Sequence, residues 1–234
     1  MSERRRSILP AEARHDSPAP RLSLTEQVYR RLKEDILEAH CGPGQLLLEP
    51  ELANRYGVSK TPVREALRLL VQEDWVTVMP RKGYIVRPVR LEDIREVFEI
   101  RHMLEPAMAA TAATRHTEAD LEQLANLCAE QSRTGRNLAS PLQAARSFHT
   151  RVAAVTGNQR ATTVLEGQLD EVRRLHHLMP DAESHLTSGV ELTAHHDLLA
   201  AIRDGDPDKA RRLMSGHLTE VAGAMVDAFV GMRR

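Results

Sequence analysis

Aromatic side chains are scarce: three Phe, three Tyr and one Trp, 3% of 234 residues. A β-sandwich core draws heavily on such residues. The 41% hydrophobic content rests instead on Leu, Ala, Val and Met, which favours helices packed on helices. Long apolar runs are missing too. None approaches the ~20 residues needed to span a bilayer, so no transmembrane segment is expected. There are two cysteines, Cys41 and Cys128, far apart in the chain. They form neither a disulfide framework nor a ligand pair, and a reducing cytoplasm is the expected compartment. The opening stretch "MSERRRSILPAEARHDSPAPR" is basic but has no long apolar core, so it does not read as a secretory signal. Its Pro, Ala and charge content predicts a disordered arm over residues 1–22.

The length suits two domains of ordinary size. The formal net charge of −1 hides an asymmetry. Residues 1–90 hold 16 Lys and Arg against 12 Asp and Glu, and the remainder holds 16 against 21. A basic front and an acidic back suggest that the front half meets a polyanion.

The stretch "SKTPVREALRLLVQE" (59–73) has Val63, Ala66, Leu67 and Leu70 at i, i+3, i+4, i+7, which predicts a helix with one buried face. Pro62 is tolerated in a first turn, whose amides Ser59 or Thr61 can cap. Upstream, 24–39 reads as a helix with Val28, Leu32, Ile36 and Leu37 inward. "GPGQ" is a turn, and "EPELANRY" (49–56) is a short helix. Ala53, Gly57 and Val63 then stand at helix-turn-helix spacing. A small residue lets the helices cross, Gly allows positive φ, and Val fills the angle. "WVTVMPRKGYIVRPV" (75–89) reads as strand, four-residue turn and strand, with Pro80-Arg81-Lys82-Gly83 at its tip. A winged helix-turn-helix over 23–89 is the expectation. Lys60, Thr61, Arg64 and Arg68, with the Arg81–Lys82 tip, suit a phosphate-lined groove, and Arg64 can take a guanine bidentately. The alternative is a solvated basic face.

"SKTPVREAL" followed by "RKGYIV" resembles the DNA-binding domain of GntR-type bacterial transcription regulators over residues 24–89. The resemblance implies operator contacts from Ser59, Lys60, Thr61 and Arg64 and from the wing residues Lys82 and Gly83. Asp74-Trp75 stands where that pattern has Gly-Leu. Asp tolerates a left-handed backbone, so the turn is expected to survive.

Residues 90–232 read as an all-helical bundle, with six helices near 91–115, 118–134, 141–156, 159–178, 188–203 and 207–230. Ser140-Pro141 and Asp206-Pro207 read as N-cap plus N1 pairs, and Gly157 as a stop. Polar groups interrupt the apolar faces. Arg101 and Glu105 lie within the stripe of Ile94, Val97, Phe98, Leu104 and Met108. They form an internal pair, or Arg101 faces a cavity and binds an anion; the two are compatible. His149 lies among Leu142, Ala145 and Val152; His195 among Leu192, Leu199 and Ile202; His217 among Ala210, Leu213 and Val221. One such histidine reads as a satisfied core residue. Three on three helices suggest convergence, and neutral imidazoles suit Zn²⁺ or Ni²⁺.

"EIRHMLEPAMAA", "SFHTRVAAVTGN" and "HHDLLAAIRDGDPDKARRLMSGHL" resemble the ligand-binding FCD domain of the FadR-like branch of GntR regulators. That resemblance implies a divalent metal on His149, His195 and His217, with a small carboxylate effector bridging it to Arg101. It also implies an Asp one turn before His149, where this chain has Ala145. The site is then expected to bind metal more weakly, or to use its histidines as donors to an anion. His176 and Asn158 are further candidates for the cavity wall, and His196 is expected to face solvent. The function expected is a homodimeric, effector-released repressor on an imperfect palindrome, not an enzyme. The alternatives are a metal-dependent hydrolase on the three His, which lacks an evident general base, and an architectural DNA-binding protein.

Overall fold

The computed structural model describes residues 22–132, 139–179 and 189–232. The arm expected over 1–22 lies outside these apart from Leu22. Helix α1 (Leu24–Leu37) starts at a capping box, with the Glu26 amide on Ser23 Oγ (3.2 Å) and the Ser23 amide on Glu26 Oε2 (2.9 Å). It buries Val28, Leu32, Ile36 and Leu37, the four residues its periodicity selects. Helix α2 (Glu49–Tyr56) ends at Gly57, whose φ of 66° is the left-handed turn of the motif. Helix α3 (Lys60–Gln72) follows and buries Val63, Ala66, Leu67 and Leu70.

Behind α3 lie strands β2 (Val76–Met79) and β3 (Gly83–Val86), joined by a turn of three residues rather than four. A third strand, β1 (Leu46–Leu47), escaped the sequence reading because two residues carry no alternation. It pairs with β3, giving the order β1-β3-β2, all antiparallel. That pairing explains Gly83. A Cβ there would fall 2.7 Å from the Leu47 carbonyl oxygen, on a backbone of φ 120°. Gly83→Ala is expected to destabilise the wing by more than about 1 kcal/mol, read as a lower urea midpoint with a disordered tip in amide exchange. Asp74 takes φ 63°, so the turn survives, and Trp75 is buried in the core of this unit.

The remaining helices are α4 (Leu91–Arg115), α5 (Glu118–Gln131), α6 (Ala139–Val155), α7 (Gln159–Leu178), α8 (Val190–Arg203) and α9 (Pro207–Met232). Residues 133–134 and 188, expected at helix ends, lie outside the described residues. One boundary expectation fails. Helix α6 begins at Ala139, so Ser140 and Pro141 sit inside its first turn instead of preceding it. Proline is tolerated there because first-turn amides have no intrahelical acceptor. Asp206 does cap α9, accepting from the Lys209 amide at 2.9 Å. Gly157 (φ 72°) follows α6 as a stop. The long helices α4 and α9 lie along each other, and α6, α7 and α8 pack against α4 or α9. Among the described residues, no helix is long and apolar enough to cross a membrane.

Helix α7 joins the two halves. Asp170 pairs with Lys33 of α1 (3.2 Å), and Arg173 with Glu34 (2.8 Å) and Glu38 (3.0 Å). Arg174 donates to the Arg87 carbonyl at 2.6 Å, with its guanidinium 5.8 Å from the Trp75 ring centroid. Arg174 is buried, so this is a fixed anchor rather than a surface pair.

Candidate functional site

Two sites emerge, one in each half. On the first, Ser59, Lys60, Thr61, Arg64, Arg68, Arg81 and Lys82 are all exposed, while Gly83 is half-buried. Neither hydroxyl was found capping α3 as expected: Ser59 is the N-cap residue in extended backbone but its side chain makes no cap bond. The first-turn amides therefore keep their donor capacity on the face that carries the cations. Arg64 is held bidentately by Glu49 of α2, Nε to Oε1 at 2.9 Å and Nη2 to Oε2 at 2.7 Å. Arg68 pairs with Glu65 at 2.8 Å. Glu49 thus pre-positions the guanidinium at the mouth of the helix-turn-helix. Arg64→Ala is expected to cost about 1–3 kcal/mol of operator affinity and to relax preference at one base pair. Competition binding with single-base variants of the operator measures both effects.

The second site lies in the bundle. His149 (α6), His195 (α8) and His217 (α9) are buried, and their ligand nitrogens fall within 4.8 Å of one another. Nε2 of His149 is 3.2 Å from Nε2 of His195 and 3.3 Å from Nε2 of His217. The outward nitrogens of two rings are already engaged. His149 Nδ1 meets Glu105 Oε2 at 2.5 Å, and His195 Nδ1 meets Gln131 Oε1 at 2.7 Å. A carboxylate and an amide oxygen accept, so both Nδ1 atoms donate, which leaves both Nε2 atoms to present lone pairs when the rings act as metal ligands. Two lone pairs 3.2 Å apart repel unless a cation lies between them. Zn–N bonds of about 2.0–2.1 Å in tetrahedral geometry put nitrogens about 3.3 Å apart. The residues present fit such an ion.

The surroundings orient these imidazoles and keep His195 neutral. Burial pushes the His195 imidazole well below its ordinary range, helped by His149, His217 and Arg101. Phe148 stacks on the His195 ring with centroids 4.4 Å apart. Glu105 is held by Arg101 Nε at 2.6 Å, both groups buried. Burial alone would raise the Glu105 carboxyl, but Arg101 and His149 outweigh it and hold it down at about 2. Arg101 is paired internally with Glu105, and it also lines the cavity beside the histidines, the position that the anion-binding reading requires. That cavity measures about 30 Å³, room for one ion or water.

His176 lies on the same wall, whereas Asn158 does not. It is the exposed N-cap residue of α7, accepting from the Ala161 amide at 3.1 Å, and it faces a separate cleft beside Met103 and Arg115. The capping role of Asn after a Gly stop accounts for it. Ala145 reaches the wall and His196 faces solvent. Four residues were not anticipated. Gln131 comes from α5, too distant in sequence to be associated with His195. Glu191 stands one turn before His195 on α8, a spacing visible in "ELTAH". Arg146 and Arg173 line the cavity while pairing outward with Asp170 and with Glu34 and Glu38.

A winged helix-turn-helix joined to an all-helical domain defines a class, the two-domain DNA-binding transcription regulators. The model for the gntR family of bacterial regulatory proteins matches residues 24–86, and that for the FCD domain matches residues 96–220. The chain belongs to the GntR family, in its FCD-bearing, FadR-like branch, and is a DNA-binding transcription regulator. It is 28% identical over 205 residues to the HTH-type transcriptional repressor RspR of Escherichia coli, covering 87% of this chain and 89% of that protein. Among solved structures, E. coli McbR/YncC shares the fold with a TM-score of 0.75 at 24% identity, covering 89% of this chain and 99% of that one. A GntR transcriptional regulator from Rhodococcus sp. RHA1 aligns with a TM-score of 0.73 at 25% identity, covering 88% of this chain and 99% of the other.

Proposed function

We propose that this regulator is a cytoplasmic homodimeric repressor. Each subunit reads half of an imperfect palindrome, and a small carboxylate metabolite releases the DNA. A single short recognition helix covers too few bases for useful specificity, which favours two half-sites. The name of RspR, a repressor, supports the sign of regulation. Sequences selected from a random DNA pool are expected to contain two inverted half-sites.

The effector site is the three-histidine cavity, and the observation that carries this reading is the separation of His149 Nε2 from the Nε2 atoms of His195 and His217, 3.2 and 3.3 Å, each close to a tetrahedral edge. His149, His195 and His217 would hold a zinc or nickel ion, which supplies a positive anchor and open positions for an effector carboxylate. Arg101 offers the second charge partner, with His176 alongside. Arg146 and Arg173 carry the signal. An anion entering the cavity competes with Glu34 and Glu38 for Arg173, which loosens α1 from α7, and with Asp170 for Arg146, which loosens α6 from α7. At about 30 Å³ the cavity must open to admit a metabolite, so binding and rearrangement are coupled.

The hydrolase alternative needs a general base near the histidines, and none is evident in the sequence. Glu191 is in fact on the cavity wall, so that objection falls. What favours the regulator reading is the match of the chain to models for a family of DNA-binding regulatory proteins. An architectural protein has no use for buried Arg101 and three convergent histidines.

A thermal-shift screen of small carboxylates, run with zinc and with chelator, tests the reading. A compound that raises the melting temperature with zinc, not with chelator, and also releases selected operator DNA is the expected result. Stabilisation indifferent to metal would assign the cavity to a metal-free anion site, with Arg101 as the main charge partner.

A further inference from the structure

A divalent ion on three neutral imidazoles leaves two positive charges in a buried site, with Arg101 adding a third nearby. Burial of net charge is costly unless an anion compensates. Glu105 is already committed to Arg101 and to His149 Nδ1. Ala145, one turn before His149, has no carboxylate to offer.

Among the described residues the cavity wall has one carboxylate, Glu191. It is one helical turn before His195 on α8, so the two side chains share a face. The residue is 5% exposed, and its Oε2 is buried without a hydrogen-bond partner. A buried acidic oxygen left unsatisfied in a native fold calls for an explanation. No Lys, Arg or His stands within ion-pair distance of it among the described residues, although the field of Arg101 reaches it. An unpaired carboxyl group thus faces the same one-ion cavity as His149 and His217.

We propose that Glu191 is the anionic ligand of the three-histidine metal centre. The inference rests on the metal reading given above. The Glu191 oxygens stand outside the 4.8 Å cluster of nitrogens, so ligation draws the side chain inward as the ion enters. The centre then holds two ligands one turn apart on α8, Glu191 and His195, with His149 and His217 closing it from α6 and α9. Net charge falls from +2 to +1, which still favours an effector carboxylate. An anionic oxygen in place of a fourth neutral donor also suits zinc, nickel and cobalt alike.

Zinc titration of the full-length chain by calorimetry, with Glu191→Gln and His195→Ala beside it, tests the assignment. Gln is isosteric and removes the buried acid, so the fold is expected to persist, checked by the thermal melt and by operator binding. The expected result is zinc affinity lowered by about 10–100-fold in Glu191→Gln, with the visible bands of the Co²⁺-loaded chain altered. Ala145→Asp added to Glu191→Gln is expected to recover affinity, by supplying a carboxylate from α6 instead. Zinc bound by Glu191→Gln within about twofold of the native chain, with unchanged Co²⁺ bands, overturns the role of Glu191 and leaves the histidine centre standing. Zinc bound by the native chain no better than by His195→Ala overturns both.

Discussion

His195→Ala protein is expected to lose zinc binding by a factor of at least ~1,000 while still binding operator DNA in the absence of effector. His195 is fully buried with its Nε2 3.2 Å from that of His149, and its Nδ1 is fixed by Gln131. Removing the ring takes away one of three nitrogen donors and leaves two, which do not make a tight site at neutral pH. The fold is expected to survive, because Phe148 and Leu199 close part of the gap and the change removes a polar group from the core. The DNA surface lies in the other half of the chain. The DNA complex of the variant is therefore expected to ignore carboxylates that release the native protein, as a fluorescence anisotropy titration would record.

Glu105→Gln has the largest expected effect on stability, a loss of about 3–5 kcal/mol. Arg101 is 2% exposed, and Glu105 neutralises it while orienting His149. An amide at position 105 leaves a buried guanidinium without a counter-charge. Chemical denaturation of the metal-free chain measures the loss. The pH dependence has a definite sign. Glu105 titrates at about 2 in the fold against an ordinary 4.5, so its stabilisation is complete above about 4.5 and disappears as pH falls towards 2. The native chain is expected to lose stability across that window more steeply than Glu105→Gln.

Much of this was legible in the chain. Val63, Ala66, Leu67 and Leu70 announced α3 by period, and His149, His195 and His217 stood out because imidazoles interrupt apolar stripes. The pairing of Arg101 with Glu105 was equally visible, since i, i+4 spacing needs no tertiary knowledge. What stayed hidden depends on which helices meet. Gln131 acquires its role from α5 packing on α8, and the second bond of Glu105 from α4 meeting α6. Glu191 was readable in principle, but a search for apolar neighbours of His195 passes over an acid on the same face. Asn158 misled for the opposite reason: a local duty, capping α7, outweighed the suggestion of a tertiary one. Strand β1 was too short to leave a pattern, and only the close approach of Gly83 to Leu47 betrays it.

The central claim is that the helical domain of this regulator holds a divalent ion on three histidines and senses anions through it. Native mass spectrometry of protein purified without chelator and without a nickel column tests it most directly. The expected particle has two chains and two divalent ions, and loses one ion per His195→Ala subunit. A particle that stays metal-free, even after incubation with zinc, while still releasing DNA to a carboxylate, would contradict it.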